Sequence, residues 1–206
     1  YSYIYQCGER MNNFIECFPQ ALSQEQCNNI IDGFNKDPNR MRGLNGGRID
    51  SIRKDSIDVY LSFKKNSCKY YNDIIHHALM KGIHSYMDEY EFIKSLSQLE
   101  VYHAYNVQYY GEGQGYKKLH CEHENCGTAM YRILAWMFYL NDAQCGTTFP
   151  MQDITLKPLT GDLWVWPAFW THAHKGVTPN IGDKYIATGW VQFESWHNML
   201  KDDSIG

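Results

Sequence analysis

After residue 96 the hydrophobic pattern of the chain changes its period. Upstream, Ile75, Leu79, Ile83, Tyr86 and Tyr90 fall on one helical stripe within residues 67–92, weakened only by Gly82. Downstream, Leu99, Val101, His103, Tyr105 and Val107 alternate, which is the signature of a strand. Further β-like runs lie at Arg132–Leu140, Asp153–Lys157, Leu163–Trp166 and Tyr185–Phe193, and glycines punctuate the stretches between them. Helices first and many short strands later predict a mainly β fold with supporting α. The expected architecture is a sandwich or jelly roll with an N-terminal helical layer packed on one sheet. With 206 residues, 44% of them hydrophobic, the chain can bury a sizeable core as one domain.

The first half adds detail. Phe14–Phe18 reads as a short apolar strand, Pro19 ends it, and Ser23 caps a helix with Gln26 at its third position. Ile30, Ile31 and Phe34 then face inward. Residues 35–58 are polar, hold three glycines and four arginines, and are long for a structureless loop, so they are a candidate substrate loop. The expected organisation is a single catalytic domain over 1–206. Within it, 1–95 form a supporting region, 96–196 the β core and 197–206 a tail.

Net charge is -4 without a polybasic run, which disfavours nucleic-acid binding by a broad basic surface. No apolar run reaches the roughly 18 residues of a membrane span, and no secretory signal pattern is present. Seven cysteines, an odd count, are scattered without C-x-x-C, so we read them as mostly reduced and the setting as cytoplasmic. A trimmed leader or a viral origin stays open, because the chain begins at Tyr1. Cys121 and Cys126 bracket His123, but a zinc site usually draws on a second closely spaced pair, and none is visible.

The chemistry concentrates in the C-terminal half. His120-Cys121-Glu122 is a two-residue step, which on an extended strand puts imidazole and carboxylate on the same face. Alone the triplet is a weak signal, and His123-Glu124 offers a copy one face over. Further along, Trp166–His174 leads into Gly176, Pro179, Gly182 and Lys184. A second histidine, a Gly/Pro turn and a returning strand with a cation bring that cation beside the first two groups. Two imidazoles and one carboxylate can hold one face of a metal ion and leave the other open, a donor set suited to iron(II). Lys184 would meet a carboxylate as a point charge. His172 is a second decoy, since the residue ten positions beyond it is Gly182.

In their order and spacing these residues resemble the iron(II)/2-oxoglutarate dioxygenases, and most of all the prolyl 4-hydroxylase branch. The resemblance runs from about residue 14 to 193. Tyr109–Tyr116 matches the family's tyrosine and glycine-rich turn before the first ligand. Tyr139-Leu140-Asn141 and Gly146–Pro150 match the strand end and turn that follow. Lys157-Pro158, Gly161, Leu163 and Trp166-Pro167 match the next stretch, and His174, Gly182 and Lys184 the closing one. The resemblance implies a double-stranded β-helix. It implies that His120, Glu122 and His174 bind iron(II), and that Lys184 binds the distal carboxylate of 2-oxoglutarate with help from Tyr139. Tyr109, Thr188 and Trp190 would line the cosubstrate pocket, with Tyr110 as the neighbouring register for Tyr109. Arg132 is a candidate substrate contact. O2 would be the second cosubstrate and ascorbate the reductant.

Two features depart from the pattern. Glu122 stands where the branch usually has aspartate, one methylene shorter, and Leu119 reads as an insertion before His120. A carboxylate at 122 argues against a halogenase. The expected function is hydroxylation of a peptidyl proline, with a proline-containing peptide or protein as partner and no nucleic acid or membrane involved. A 2-oxoglutarate oxygenase acting on a free amino acid or other small molecule stays open, as does a non-catalytic jelly-roll binding module. A zinc hydrolase would lack H-E-x-x-H here and gives no reason for Lys184.

Overall fold

A computed structural model of the chain describes residues 3–5, 13–65, 69–96, 98–125, 127–179 and 181–194. The elements in order are β1 (Tyr3–Tyr5), β2 (Glu16–Phe18), α1 (Gln24–Lys36), β3 (Met41–Arg42), β4 (Lys54–Asp55), β5 (Ile57–Ser62) and α2 (Lys69–Glu89). The second half holds β6 (Leu99–Val101), β7 (Ala104–Tyr110), β8 (Gly115–Tyr116), β9 (Arg132–Tyr139), β10 (Thr147–Phe149), β11 (Ile154–Leu156), β12 (Leu163–Pro167), β13 (Lys175–Gly176) and β14 (Lys184–Phe193). The tail expected over 197–206 lies outside the described residues.

Ser23 caps α1 as its sequence predicts. Its hydroxyl accepts from Gln26 N and the Gln26 side chain accepts from Ser23 N, so two backbone donors at the helix start are satisfied reciprocally. Ile30 and Phe34 are buried, with Ile31 packed beside them. In α2 the predicted stripe is the buried one: Ile75, Leu79, Ile83 and Tyr86 are each at most 3% exposed. Gly82 does more than weaken this helix. A Cβ there would run into Leu163 Cδ2 and crowd Phe18, so the glycine lets α2 lie directly on the sheet.

The large sheet has the order β2-β12-β9-β14-β7-β5-β3, with β6 on the end of β14, and all its pairs are antiparallel. A smaller sheet, β1-β11-β10-β13, faces it, and β4 pairs with β8 at the rim. This is the double-stranded β-helix that the sequence implies. Alternation sorts the strands between two cores. On β9, Leu134, Trp136 and Phe138 join α1 and α2 in the outer core, while Ala135, Met137 and Tyr139 join Phe149, Ile154, Leu156, Trp164 and Trp166 between the sheets. Both faces of β9 are covered, and for that reason its sequence reads as a continuous apolar run.

Three expectations change. Beside the predicted strand, which appears as β2 paired with β12, the supporting region contributes β5, paired with β7. Residues 35–58 are not one loop: β3 and β4 interrupt them, held by partners distant in sequence. The strand predicted over 99–107 breaks at Tyr102, whose N–H bonds Trp190 O, and resumes as β7. Of the described cysteines, Cys27, Cys121 and Cys145 carry free thiols and Cys17 is disulfide-bonded.

Candidate metal centre

The mouth between the two sheets is a cleft of about 510 Å³, and His120, Glu122, His174, Lys184, Tyr139, Thr188, Trp190 and Arg132 all line it. Strand β14 explains why its residues do so. Lys184, Ile186, Thr188 and Trp190 are two apart and share one face. Sequence reasoning sets His120 and Glu122 on an extended strand, but the structure gives His120 a single bridge to His174 followed by a turn. That bridge is enough to bring the two histidines together, with ring centres 4.5 Å apart.

The donor atoms converge. Glu122 Oε1 lies 3.5 Å from His120 Nε2 and 3.5 Å from His174 Nε2, and the donor atoms of all three residues fit within 4.8 Å of one another. Metal–ligand bonds of about 2.0–2.2 Å at right angles would put neighbouring donors about 3 Å apart, so the two glutamate–histidine pairs need only a small contraction. His120 Nδ1 is 2.8 Å from Lys118 O, and His174 Nδ1 is 3.0 Å from His172 O. A carbonyl can only accept, so both Nδ1 atoms carry the proton and both Nε2 lone pairs point at the gap. Tyr116 stacks on His120 at 3.7 Å, and Trp166 and Phe149 pack against His174 at 5.1 and 5.2 Å. Burial pushes the Glu122 carboxyl upward, but hydrogen bonds and charge from His120 and His174 in their doubly protonated forms, which exist only while no metal takes Nε2, outweigh it and hold it well below the carboxylate range. The His174 imidazole is held down by burial, partly opposed by Glu122. This charged, dry donor set fits a divalent cation.

The decoys are accounted for. His123 Nδ1 bonds Arg132 O and the ring packs on Phe169, while Glu124 is exposed. His172 turns away and bonds Asn13 O at 2.8 Å. Leu119 is 49% exposed, so the extra residue bulges outward without displacing His120. Cys121 donates to His123 O, and Cys126, the other half of the zinc idea, lies outside the described residues.

Lys184 is 3% exposed and begins β14. Its ammonium reaches Val177 O at 3.4 Å and sits 5.1 Å from the centre of the Tyr110 ring, and among the described residues no carboxylate pairs with it. Burial depresses it to about 8, with the Cys145 thiol opposing the shift. A buried cation without an acidic partner is costly, and the arrangement fits the carboxylate of a small ligand. Tyr139 is fully buried nearby, donating to Thr147 Oγ1 at 3.1 Å, and Thr188 donates to Trp136 O at 2.8 Å.

One site assignment is corrected. Tyr109 is on the outer face of β7, where it donates to Asp183 and packs on Tyr185, whereas Tyr110, one step along, faces the cleft. Strand alternation decides this, since Tyr110 is the residue in register with Lys184. Arg132 lines the cleft, but its guanidinium lies 3.5 Å from the Trp190 ring and donates to Glu122 O at 3.1 Å, so it is engaged with the metal-side residues. Sequence reasoning missed a second wall. Lys54 Nζ is 2.6 Å from Asp58 Oδ2, Ser56 Oγ and Gln108 Nε2 also bond Asp58, and Tyr110 OH donates to Gln108. This buried chain carries residues 44–47 to the mouth, where Tyr116 OH meets Asn45. Its only sequence signal is the polar character of 54–58.

Comparison with known proteins places one segment in a family. Residues 105–192 match the model of the 2OG-Fe(II) oxygenase superfamily, and this span contains every residue named above as a candidate ligand. That segment belongs to the 2OG-Fe(II) oxygenase superfamily. Oxygenases of this family work with iron(II), 2-oxoglutarate and O2. Among solved structures, the chain is similar to the viral collagen prolyl hydroxylase of Paramecium Bursaria Chlorella virus-1 in its 2OG complex. The TM-score is 0.65 at 18% identity, over 89% of this chain and 98% of that one. It is similar to a Pseudomonas putida prolyl-4-hydroxylase, with TM-score 0.62 at 13% identity over 88% and 94%. A third is a Trichoplax adhaerens prolyl hydroxylase in complex with a hypoxia inducible factor oxygen degradation domain peptide fragment, with TM-score 0.64 at 14% identity over 88% and 84%. At these identities the likeness establishes the oxygenase fold. No curated protein matches the chain by sequence.

Proposed function

We propose that this oxygenase hydroxylates a prolyl residue in a peptide or protein, using iron(II), 2-oxoglutarate and O2 and releasing succinate and CO2. The observation that carries the reading is the coincidence, in one cleft, of a two-histidine, one-carboxylate face and a buried ammonium, Lys184, with which no carboxylate of the described residues pairs. When bound, iron(II) and 2-oxoglutarate supply O2 activation and transfer of one oxygen atom to a C–H bond. The protein's residues do the rest. His120, Glu122 and His174 would hold the metal through two imidazoles and one carboxylate. Lys184 receives the distal carboxylate, steadied by Tyr139 and Tyr110. Met137, Trp166 and Ile186 exclude water from the floor. Residues 44–47, with Tyr60 and Tyr116, form a wall against which an extended substrate is oriented. Ascorbate would keep the iron reduced between turnovers.

The proline assignment draws on the likeness to three prolyl hydroxylases, one of them holding a peptide. The first test is the visible spectrum of the anaerobic protein with iron(II). A charge-transfer band that grows with 2-oxoglutarate and is lost in His174→Ala supports the centre. Succinate release stimulated by a proline peptide, but not by the same peptide with alanine, supports the substrate. If only free amino acids stimulate release, the enzyme stands and the peptide does not. If no band forms in folded protein, the chain is a binding module on an oxygenase scaffold.

A further inference from the structure

Glu122 presents its two oxygens to different partners. Oε1 faces both histidine Nε2 atoms at 3.5 Å. Oε2 accepts from Trp190 Nε1 at 2.7 Å, and Arg132 Nη1 lies 3.5 Å from it. Arg132 is itself fixed, stacked on the Trp190 ring at 3.5 Å and bonded to Glu122 O at 3.1 Å. Trp190 stands on β14 six residues after Lys184 and Arg132 opens β9, and these two strands pair side by side. So the carboxylate is gripped by groups on rigid strands, while it stands itself in a turn.

Resting on the reading of Glu122 as a metal ligand, we infer that Trp190 is a positioning residue for that carboxylate. The indole N–H, with Arg132 stacked behind it, occupies Oε2 and leaves Oε1 alone to face the metal. An indole has one donor and no acceptor, and here that single donor is spent on Oε2, the oxygen turned away from the histidines. A glutamate at this position has one more rotatable bond than an aspartate and can swing to chelate through both oxygens, which would consume an open coordination position. The Trp190 bond removes that freedom and accounts for a longer side chain working here. Partners of this kind typically affect metal affinity about 10- to 100-fold.

The test reads metal binding without turnover. Mn(II) affinity would be measured by calorimetry for the wild type, His174→Ala, Trp190→Phe and Trp190→His, with the iron(II)–2-oxoglutarate band as a second readout. Trp190→Phe is expected to bind Mn(II) about 10- to 100-fold more weakly and to shift the band. Trp190→His, which keeps an N–H donor, is expected to recover part of the affinity. Arg132→Met leaves the indole bond in place and is expected to lose no more than a few-fold. It also covers the case in which the Trp190 variants fail to fold, since a loss in Arg132→Met as large as in His174→Ala would overturn the assignment to the indole. If Trp190→Phe folds and binds Mn(II) like the wild type with the same band, the inference fails while the metal centre stands. If His174→Ala binds Mn(II) like the wild type, the metal centre itself fails.

Discussion

His120 and His174 hydrogen-bond each other backbone to backbone, His120 N to His174 O at 3.0 Å and His174 N to His120 O at 2.8 Å. The pair is isolated from longer strands, yet it sets the spacing of the two imidazoles, because each Cβ leaves the same rung. His172 sits two residues before His174 but is turned to Asn13 O by the short 3-10 turn at Trp170–His172. The two histidines should therefore separate cleanly. His174→Ala is expected to abolish Mn(II) binding and 2-oxoglutarate turnover while leaving a folded protein. His172→Ala is expected to keep the metal and lose about 1–3 kcal/mol of stability from the buried bond to Asn13. Denaturant unfolding alongside a metal titration checks both, and the reverse pattern would reassign the ligand.

With Lys184 as the proposed partner of the cosubstrate carboxylate, binding is expected to depend on pH. Its folded value of about 8 lies below the ordinary 10.5, so the empty site holds the proton more weakly than the unfolded chain does. A carboxylate ligand binds the protonated form. Affinity for 2-oxoglutarate in the Mn(II) protein is expected to be flat below pH 8 and to fall about tenfold per unit above it. Stability of the ligand-free protein should move the other way. Between pH 8 and 10.5 the unfolded chain binds more protons, so stability rises with pH across that window, by an amount on the order of 3 kcal/mol at most. Lys184→Arg stays charged throughout and should remove the pH dependence of binding. A 2-oxoglutarate affinity unchanged from pH 7 to 9 in the wild type would contradict the role of Lys184.

Much of this site was legible because its residues are local or nearly so. His120 and Glu122 are two apart, His174 and Lys184 ten apart, and the turns between them are marked by glycine and proline. The capped helix α1 and the α2 stripe were legible for the same reason. What escaped were facts fixed by long-range pairing. Tyr109 and Tyr110 are adjacent, and only the register of β7 against β14 tells which faces the cleft. The partner of Glu122 is 68 residues away. Strands β3 and β4 have two residues each, too short to carry a pattern, and exist because β5 and β8 pair with them. The single bridge at His120 replaced an expected strand, since the chain needs only one rung there to aim both imidazoles.

The tyrosine register has a kinetic consequence. Tyr110 is buried, donates to Gln108 at 2.8 Å, and lies against the Lys184 ammonium. Tyr109 makes an exposed bond to Asp183. Tyr110→Phe is expected to raise the KM for 2-oxoglutarate about 3- to 10-fold, the equivalent of one hydrogen bond. Tyr109→Phe should leave it unchanged and cost well under 1 kcal/mol of stability. Steady-state succinate assays on the two variants decide it, and equal effects would mean that the alternation of β7 does not set the pocket.

The Lys54–Asp58 pair is the remaining wall of the cleft, with exposures of 5% and 0%. Asp58 Oδ2 is also bonded by Gln108 Nε2, and Lys54 Nζ reaches Leu44 O at 3.5 Å, so the pair ties β4 and the 44–47 segment to β5 and β7. Removing one member strands the other's charge in a dry site. Asp58→Asn is expected to cost about 3–5 kcal/mol. The double replacement Lys54→Met, Asp58→Leu removes both charges and is expected to recover most of that loss. Its effect should move to the mouth of the cleft: KM for a peptide substrate rises while Mn(II) and 2-oxoglutarate affinities hold. Chemical unfolding of the wild type and the two variants gives the loss and its recovery, and the KM measurements locate the effect. If the double variant is no more stable than Asp58→Asn, the pair is not the closed unit its geometry describes. If peptide KM is unchanged in a stable double variant, the 44–47 wall does not touch the substrate.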